Sequence, residues 1–178
     1  IFDQNLVICE QLHQGQIRLG LSFGGGGSGP DSICEDGTCS PEHQNGLMMN
    51  NIIVNCPTDV GVFVRECDDC RIVPHTLFNT TGIDFLENST GRADYNLLMG
   101  RIRDRQGSST EGMGNLDQLQ TEDFESWFQD PSGSDFTLLD RGAPLLDAAD
   151  IHEEVDHDYC GQDREARRDI GAVEYITD

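Results

Sequence analysis

One recurring segment constrains this chain more than any other feature. Asn5-Leu6-Val7-Ile8, Asn51-Ile52-Ile53-Val54, His75-Thr76-Leu77-Phe78 and Asn96-Leu97-Leu98-Met99 each set a polar residue before three mainly apolar ones. The last two intervals are 24 and 21 residues, and the first, at 46, is about one period too long. The excess is assigned to the glycine-, cysteine- and acid-rich stretch from Gly24 to Gln44. A second apolar run follows each segment: Ile17 to Phe23, Val60 to Arg65, Ile83 to Leu86 and Arg101 to Arg105. Turn-forming Gly, Asn, Asp, Pro and Thr lie between them. A unit of about 22 residues with two or three short strands cannot bury its apolar face alone, but a stack of such units can. The repeat therefore predicts an all-β parallel β-helix, with Asn51 and Asn96 stacked in one column near His75. Amides in such a column hydrogen-bond from coil to coil.

This reading divides the chain into coils over residues 1–114, with an insertion loop over 24–45, and an irregular closing segment over 115–178. Within the closing segment, Asn115 to Gln129 is expected to be helical, with Leu116, Leu119, Phe124, Trp127 and Phe128 on one face. The first coil opens on the apolar residues Phe2, Leu6, Val7 and Ile8. Its strand edge is expected to be covered by an N-terminal domain or a neighbouring chain.

Charge narrows the partners. The chain has 33 acidic residues and a formal net charge of -22, and its 11 cationic residues are all arginine. Nucleic acid is not an expected partner, because phosphate binding needs clustered cations. No run approaches the ~18 consecutive apolar residues of a membrane-spanning helix. Abundant carboxylates without lysine fit a protein adapted to salt, or a genome biased toward arginine.

The chain carries 7 cysteines. Cys34 and Cys39 flank a short polar spacer and are expected to form a disulfide, as an oxidising compartment permits. Cys67 and Cys70 have C-x-x-C spacing. A turn, with or without a local disulfide, is preferred there to a redox pair or half a zinc site, since no helix or second C-x-x-C accompanies it.

The end of the chain carries a resemblance. Ala143-Pro144-Leu145-Leu146-Asp147-Ala148-Ala149-Asp150, Asp158-Tyr159-Cys160-Gly161 with Arg164, and Asp169-Ile170-Gly171-Ala172-Val173-Glu174-Tyr175 resemble the closing segment of secreted bacterial right-handed parallel β-helix proteins. The resemblance implies a right-handed coil and an extracellular location. It also points toward polysaccharide lyases of the chondroitinase and alginate lyase type, which use a lysine base and often calcium. This chain has no lysine, so that mechanism does not transfer to it.

Strand alternation puts Val62, Val64, Ile83 and Phe85 inside and Phe63, Arg65, Asp84 and Leu86 outside. Arg18, Arg65, Asp84, Arg103 and Arg105 are thereby expected on one outer face. Arg18, Arg103 and Arg105 are candidates for gripping polysaccharide. His75, Asp84 and Arg65 are candidates for proton transfer in a lyase or hydrolase. The competing reading is a solvated face of Arg–Asp ion pairs. Asp147, Asp150, Asp156 and Asp158 are candidate calcium ligands, against a solvated acidic loop. A polysaccharide-binding domain is the leading functional expectation. A structural or adhesive protein that self-associates through its open coil is the alternative.

Overall fold

The computed structural model describes residues 1–9, 19–25, 34–35, 38–39, 41–139, 143–150, 152–164 and 166–176, with 34–35 and 38–39 described by backbone alone. The chain winds through three parallel sheets. Sheet A stacks Phe2–Asp3, Leu47–Met49, Cys70–Ile72, Thr90–Ala93 and Ser109–Glu111. Sheet B stacks Leu6–Ile8, Ile52–Cys56, Thr76–Thr80 and Leu97–Leu98. Sheet C stacks Leu21–Phe23, Val62–Arg65, Gly82–Leu86 and Arg101–Asp104. Each strand pairs with its equivalent one coil away, always in parallel. The result is the expected β-helix.

Registers refine the period. Coils lengthen toward the start of the chain: column partners lie 24, 21 and 19 residues apart along the sequence. The change falls in a single arc, between sheets B and C. That arc shortens from Ile52–Val62 to Thr76–Ile83 to Leu97–Ile102, while the return from C to A keeps one length. Between the first two coils, Leu6 pairs with Ile52 but Leu21 pairs with Val62. Part of the excess length therefore lies in the first coil's own B-to-C arc, and not all of it in 24–44.

Corners are made by single left-handed residues. Gln4, Asn50, Tyr95 and Gly114 all have positive φ between sheets A and B, and each precedes an asparagine. Such a residue bends the chain sharply at a conformational cost of about 1–2 kcal/mol when it is not glycine. The asparagines that follow build the predicted column. The Asn5 N–H and side-chain amide donate to Asn51 Oδ1 at 3.0 and 2.8 Å. The His75 N–H donates to Asn96 Oδ1 at 2.9 Å, and the Asn96 N–H to Asn115 Oδ1 at 2.9 Å. The side-chain amides of Asn51, Asn96 and Asn115 donate in turn to the carbonyls of Phe2, Ile72 and Ala93.

The third coil breaks the pattern because Pro74, whose ring fixes a negative φ, occupies the corner. His75 takes the asparagine position, fully buried. Its Nδ1 lies 2.8 Å from the Pro74 carbonyl and 3.5 Å from the Asn51 amide. One nitrogen cannot donate to the first and accept from the second, and the shorter contact places the proton on Nδ1. Nε2 is buried without a partner. Burial pushes the imidazole down from 6.5 to about 4, against weaker raising effects of Pro74 and Asp3. The unfolded chain thus binds a proton below pH ~6.5 that the folded chain refuses until pH ~4. Stability fully present above that window should fall by about 3 kcal/mol across it. His75→Asn should remove this component and restore a ladder amide. Urea midpoints at pH 7 and 4.5 measure both effects, and equal pH sensitivity in the two proteins would sink the assignment.

Strand alternation sorts the core. Val62, Val64, Ile83 and Phe85 point inward to join Met48, Ile53, Ile72, Leu77 and Leu98. From the second coil on, sheet B is buried on both faces, because Ile52, Val54, Phe78 and Leu97 pack outward against Phe124, Phe128, Phe136, Leu145 and Ala172 of the closing segment. Phe78 meets Phe124 with ring centroids 5.2 Å apart, and Phe128 meets Phe136 edge-on at 5.4 Å. The helix expected over 115–129 is confined to Thr121–Trp127, capped by reciprocal bonds between Gln120 and Asp123. It starts late because Asn115 and Leu116 still belong to the fifth coil, where Leu116 bridges Leu97. Phe128–Asp130 and Asp135–Leu138 then form an antiparallel hairpin.

The Asp169-Ile170-Gly171-Ala172 run closes the fold. Asp169 accepts the N–H groups of Asp147 and Tyr175. Gly171 sits at φ +101°, where an added Cβ would lie 2.8 Å from Thr76 Oγ1, and the next N–H, of Ala172, donates to that same oxygen.

Disulfides join Cys9 to Cys56, across adjacent coils, and Cys67 to Cys70, around a corner at left-handed Asp69. The second closes the turn expected of the C-x-x-C spacing, whose pairing the sequence left open. Cys34 and Cys39 face each other in a short antiparallel pair. Their side chains lie outside the described residues. Cys160 is free and exposed.

Candidate functional site

The outer face of sheet C places the sequence-predicted residues in two groups. Asp84 lies in register with Phe63 on one side and Arg103 on the other. Its Oδ1 takes the Arg103 Nε–H at 2.5 Å and its Oδ2 the Arg105 Nη1–H at 2.9 Å. These two arginines reduce the exposure of the Asp84 side chain to 2 %. Arg65 turns away to Glu87, with Nη2 2.7 Å from the carboxylate, and that bond raises the guanidinium pKa. Arg18 lies outside the described residues. His75 points into the solenoid and Asp84 out of it, so His75, Asp84 and Arg65 do not form one constellation. A fully buried ring also cannot meet a substrate on the surface. Both oxygens of Asp84 are spent on a latch between the third and fourth coils.

The acidic loops are likewise used internally. Asp158 accepts the N–H groups of Gln162 at 2.9 Å and Glu174 at 3.1 Å. Asp156 holds His157 at 2.6 Å, and His157 reaches Asp3 at 2.9 Å. The hydrogen bond to Asp156 is the main cause raising the His157 pKa. Asp150 receives the Tyr95 hydroxyl at 3.4 Å, and the Asp147 N–H is tied to Asp169. Among the described residues no group of three or more His, Cys, Asp or Glu side chains is arranged to hold a metal ion. Of the four candidate calcium ligands, the carboxylates of Asp150, Asp156 and Asp158 are engaged with Tyr95, His157 and the Gln162 and Glu174 N–H groups.

Among the described residues, two clefts of similar volume lie beside the solenoid. The apolar one, about 440 Å³, has Leu6 and Ile52 as its floor and Phe136, Leu138, Val173 and Ile176 as walls. Three carboxylates line it, Asp135, Asp158 and Glu174, and each already accepts a hydrogen bond within the closing segment. This cleft continues the outer core of sheet B, with Ser134, Thr137, Tyr159 and Gln162 also in its lining.

The other cleft is polar. It encloses about 410 Å³ beside sheet A, between the third and fourth coils and the loop around Asp150–Glu154. Arg71 and Arg92 stand on adjacent rungs, in register. Arg71 pairs with Glu154. The Arg92 Nε–H donates to Asp94 Oδ2 at 3.1 Å, and His152 Nε2 lies 3.9 Å from the same oxygen. Asp94 Oδ1 accepts the Met113 N–H at 2.9 Å, which leaves this carboxylate 1 % exposed. The Tyr95 hydroxyl reaches Asp150 and, at 3.1 Å, Met113 Sδ. Burial pushes the His152 imidazole down and the Tyr95 phenol up. Arg71 Nε and His152 Nδ1 are buried in the wall without partners.

Sequence reasoning missed this cleft. Its one available signal was Arg71 and Arg92 standing a single coil apart, with alternation placing both outward. Chemically, it gathers planar guanidinium and carboxylate groups, which bond bidentately, with one exposed apolar side chain, Met113. Such a surface suits a ligand that both donates and accepts hydrogen bonds.

Comparison with protein-family models, with curated proteins and with solved structures finds no match to this chain. The fold alone defines its class, an all-β parallel solenoid, an architecture compatible with carbohydrate-binding proteins in general. No helix among the described residues is long and apolar enough to cross a membrane.

Proposed function

We propose that this solenoid binds carbohydrate, and that it does so in the polar cleft beside sheet A. The carrying observation is the cleft itself: Arg71, Arg92, Asp94, Asp150 and His152 converge on one open volume of about 410 Å³. That volume is in the range of small-ligand sites. Sugar hydroxyls donate and accept, and they match a lining that alternates guanidinium with carboxylate. The rigid sheet holds the two arginines, and the Asp94 and Glu154 pairs orient them. The reading concerns recognition and assigns no bond-breaking step.

Calorimetric titration with a panel of oligosaccharides tests it. Saturable binding is expected, and Arg92→Ala should weaken it about tenfold or more, since a charge-assisted hydrogen bond is worth ~1.5–3 kcal/mol. An Arg92→Ala protein that melts and binds as the parent does would remove the cleft from consideration.

One observation favours a second reading. The closing segment leaves the first coil's outer face bare, with Leu6 42 % and Ile8 55 % exposed. A structural or adhesive role would cover these residues by association. Sedimentation velocity across a hundredfold concentration range decides it: a concentration-independent monomer excludes self-association.

A further inference from the structure

We infer that the ligand of the polar cleft is a glycan carrying protonated amines, a deacetylated amino-sugar polymer. This rests on the carbohydrate reading above and specifies the substrate class. The first observation is local charge. The cleft lining holds two arginines against the four carboxylates Asp94, Asp150, Glu153 and Glu154. Glu154 is neutralised by Arg71 and Asp94 by Arg92. Asp150 takes the Tyr95 hydroxyl at 3.4 Å and forms no ion pair among the described residues, and Glu153 is exposed at the rim. Burial lowers the His152 pKa and so disfavours a cation there. Among the described residues the cleft therefore has two carboxylates without a paired cation on one side and engaged guanidiniums on the other.

The second observation is global. A net charge of -22 on 178 residues, without a lysine, surrounds the molecule with a negative potential. Such a field raises the local concentration and arrival rate of polycations and repels polyanions. A uronate-rich chain would be disfavoured twice, by the field and by Asp150 and Glu153. An ammonium on a sugar ring supplies three donors to those carboxylates. The ring hydroxyls beside it remain for Arg71 and Arg92, which Glu154 and Asp94 hold in place. An N-acetylated sugar keeps the hydroxyls but loses the charge.

Binding of four probes to the full chain tests the inference: a deacetylated hexosamine oligomer, its N-acetylated counterpart, a uronate oligomer of equal length, and an oligolysine of equal charge. At low salt the deacetylated oligomer should bind at least about tenfold tighter than the acetylated one, with the gap narrowing as salt screens the charges. Asp150→Asn with Glu153→Gln should remove most of that gap. Tighter binding of the uronate oligomer overturns the inference. So does a double variant whose preference for the amine is unchanged, because the diffuse field, and not the cleft, would then select the ligand. Oligolysine binding of equal strength and equal sensitivity to the variants would replace the sugar by charge alone. If none of the three sugars binds, the carbohydrate reading itself fails.

Discussion

Replacing Arg164 with methionine is expected to destabilise the protein by about 3–5 kcal/mol, the usual range for removing one partner of a buried ion pair. The Arg164 side chain is 1 % exposed and pairs with Glu174, itself 10 % exposed. Its remaining donors hold the carbonyls of His157, Asp169 and Gly171 and, at 3.2 Å, Asn50 Oδ1. One guanidinium thus ties the closing segment to itself and to a corner of the second coil. Burial lowers the Arg164 pKa and raises those of Glu174 and Asp169. All three directions oppose ionisation, so the network is held against its own desolvation. Methionine fills similar space but strands Glu174 and the freed carbonyls. The double variant Arg164→Met, Glu174→Gln should recover part of the loss, because the stranded charge is gone. Urea unfolding at pH 7 measures both. A loss below about 1 kcal/mol in the single variant would show that the segment is held by its apolar contacts alone.

The second large effect belongs to Cys9–Cys56. This bridge closes 47 residues of chain and joins the first coil to the second. Chain-entropy arithmetic for a loop of that size gives about 4 kcal/mol. Cys9→Ser with Cys56→Ser should therefore lower unfolding free energy by up to that amount. The loss should concentrate at Phe2–Asp3 and Leu6–Ile8, whose strands pair on one side only. Hydrogen exchange would show these strands opening first, while Ile52–Cys56 and Thr76–Thr80 stay protected. Unchanged exchange at the first coil would mean that strand pairing with Leu47–Met49 and Ile52–Cys56 suffices. Cys67–Cys70 closes a far shorter loop, with a separation of 3, and its removal should matter less.

Amino-acid order by itself determined the architecture. The spacing of Asn51, His75 and Asn96, and the alternation through Val62–Arg65 and Gly82–Leu86, are local and repeated. Each coil meets its neighbour through equivalent residues, so a periodic sequence is already a contact map. The asparagine column was legible for that reason, as was the inward set Val62, Val64, Ile83 and Phe85. The taper from 24 to 19 residues blurred the period without hiding it. Alternation also placed Asp84 and Arg103 on one outer face, but it could not show that Arg105 would close around the same carboxylate while Arg65 left for Glu87. His75 looked like a candidate base because an imidazole in a sequence carries no mark of burial. Only the corner at Pro74 and the closing segment over sheet B put it inside. The polar cleft was least legible of all. Tyr95 and Asp150 are 55 residues apart and Arg71 and Glu154 are 83 apart, with no repeat linking them. They meet because Arg164 and the run from Asp169 to Ala172 dock the aperiodic segment against the coils. That docking is a matter of packing and buried hydrogen bonds between distant residues, which tertiary structure alone decides.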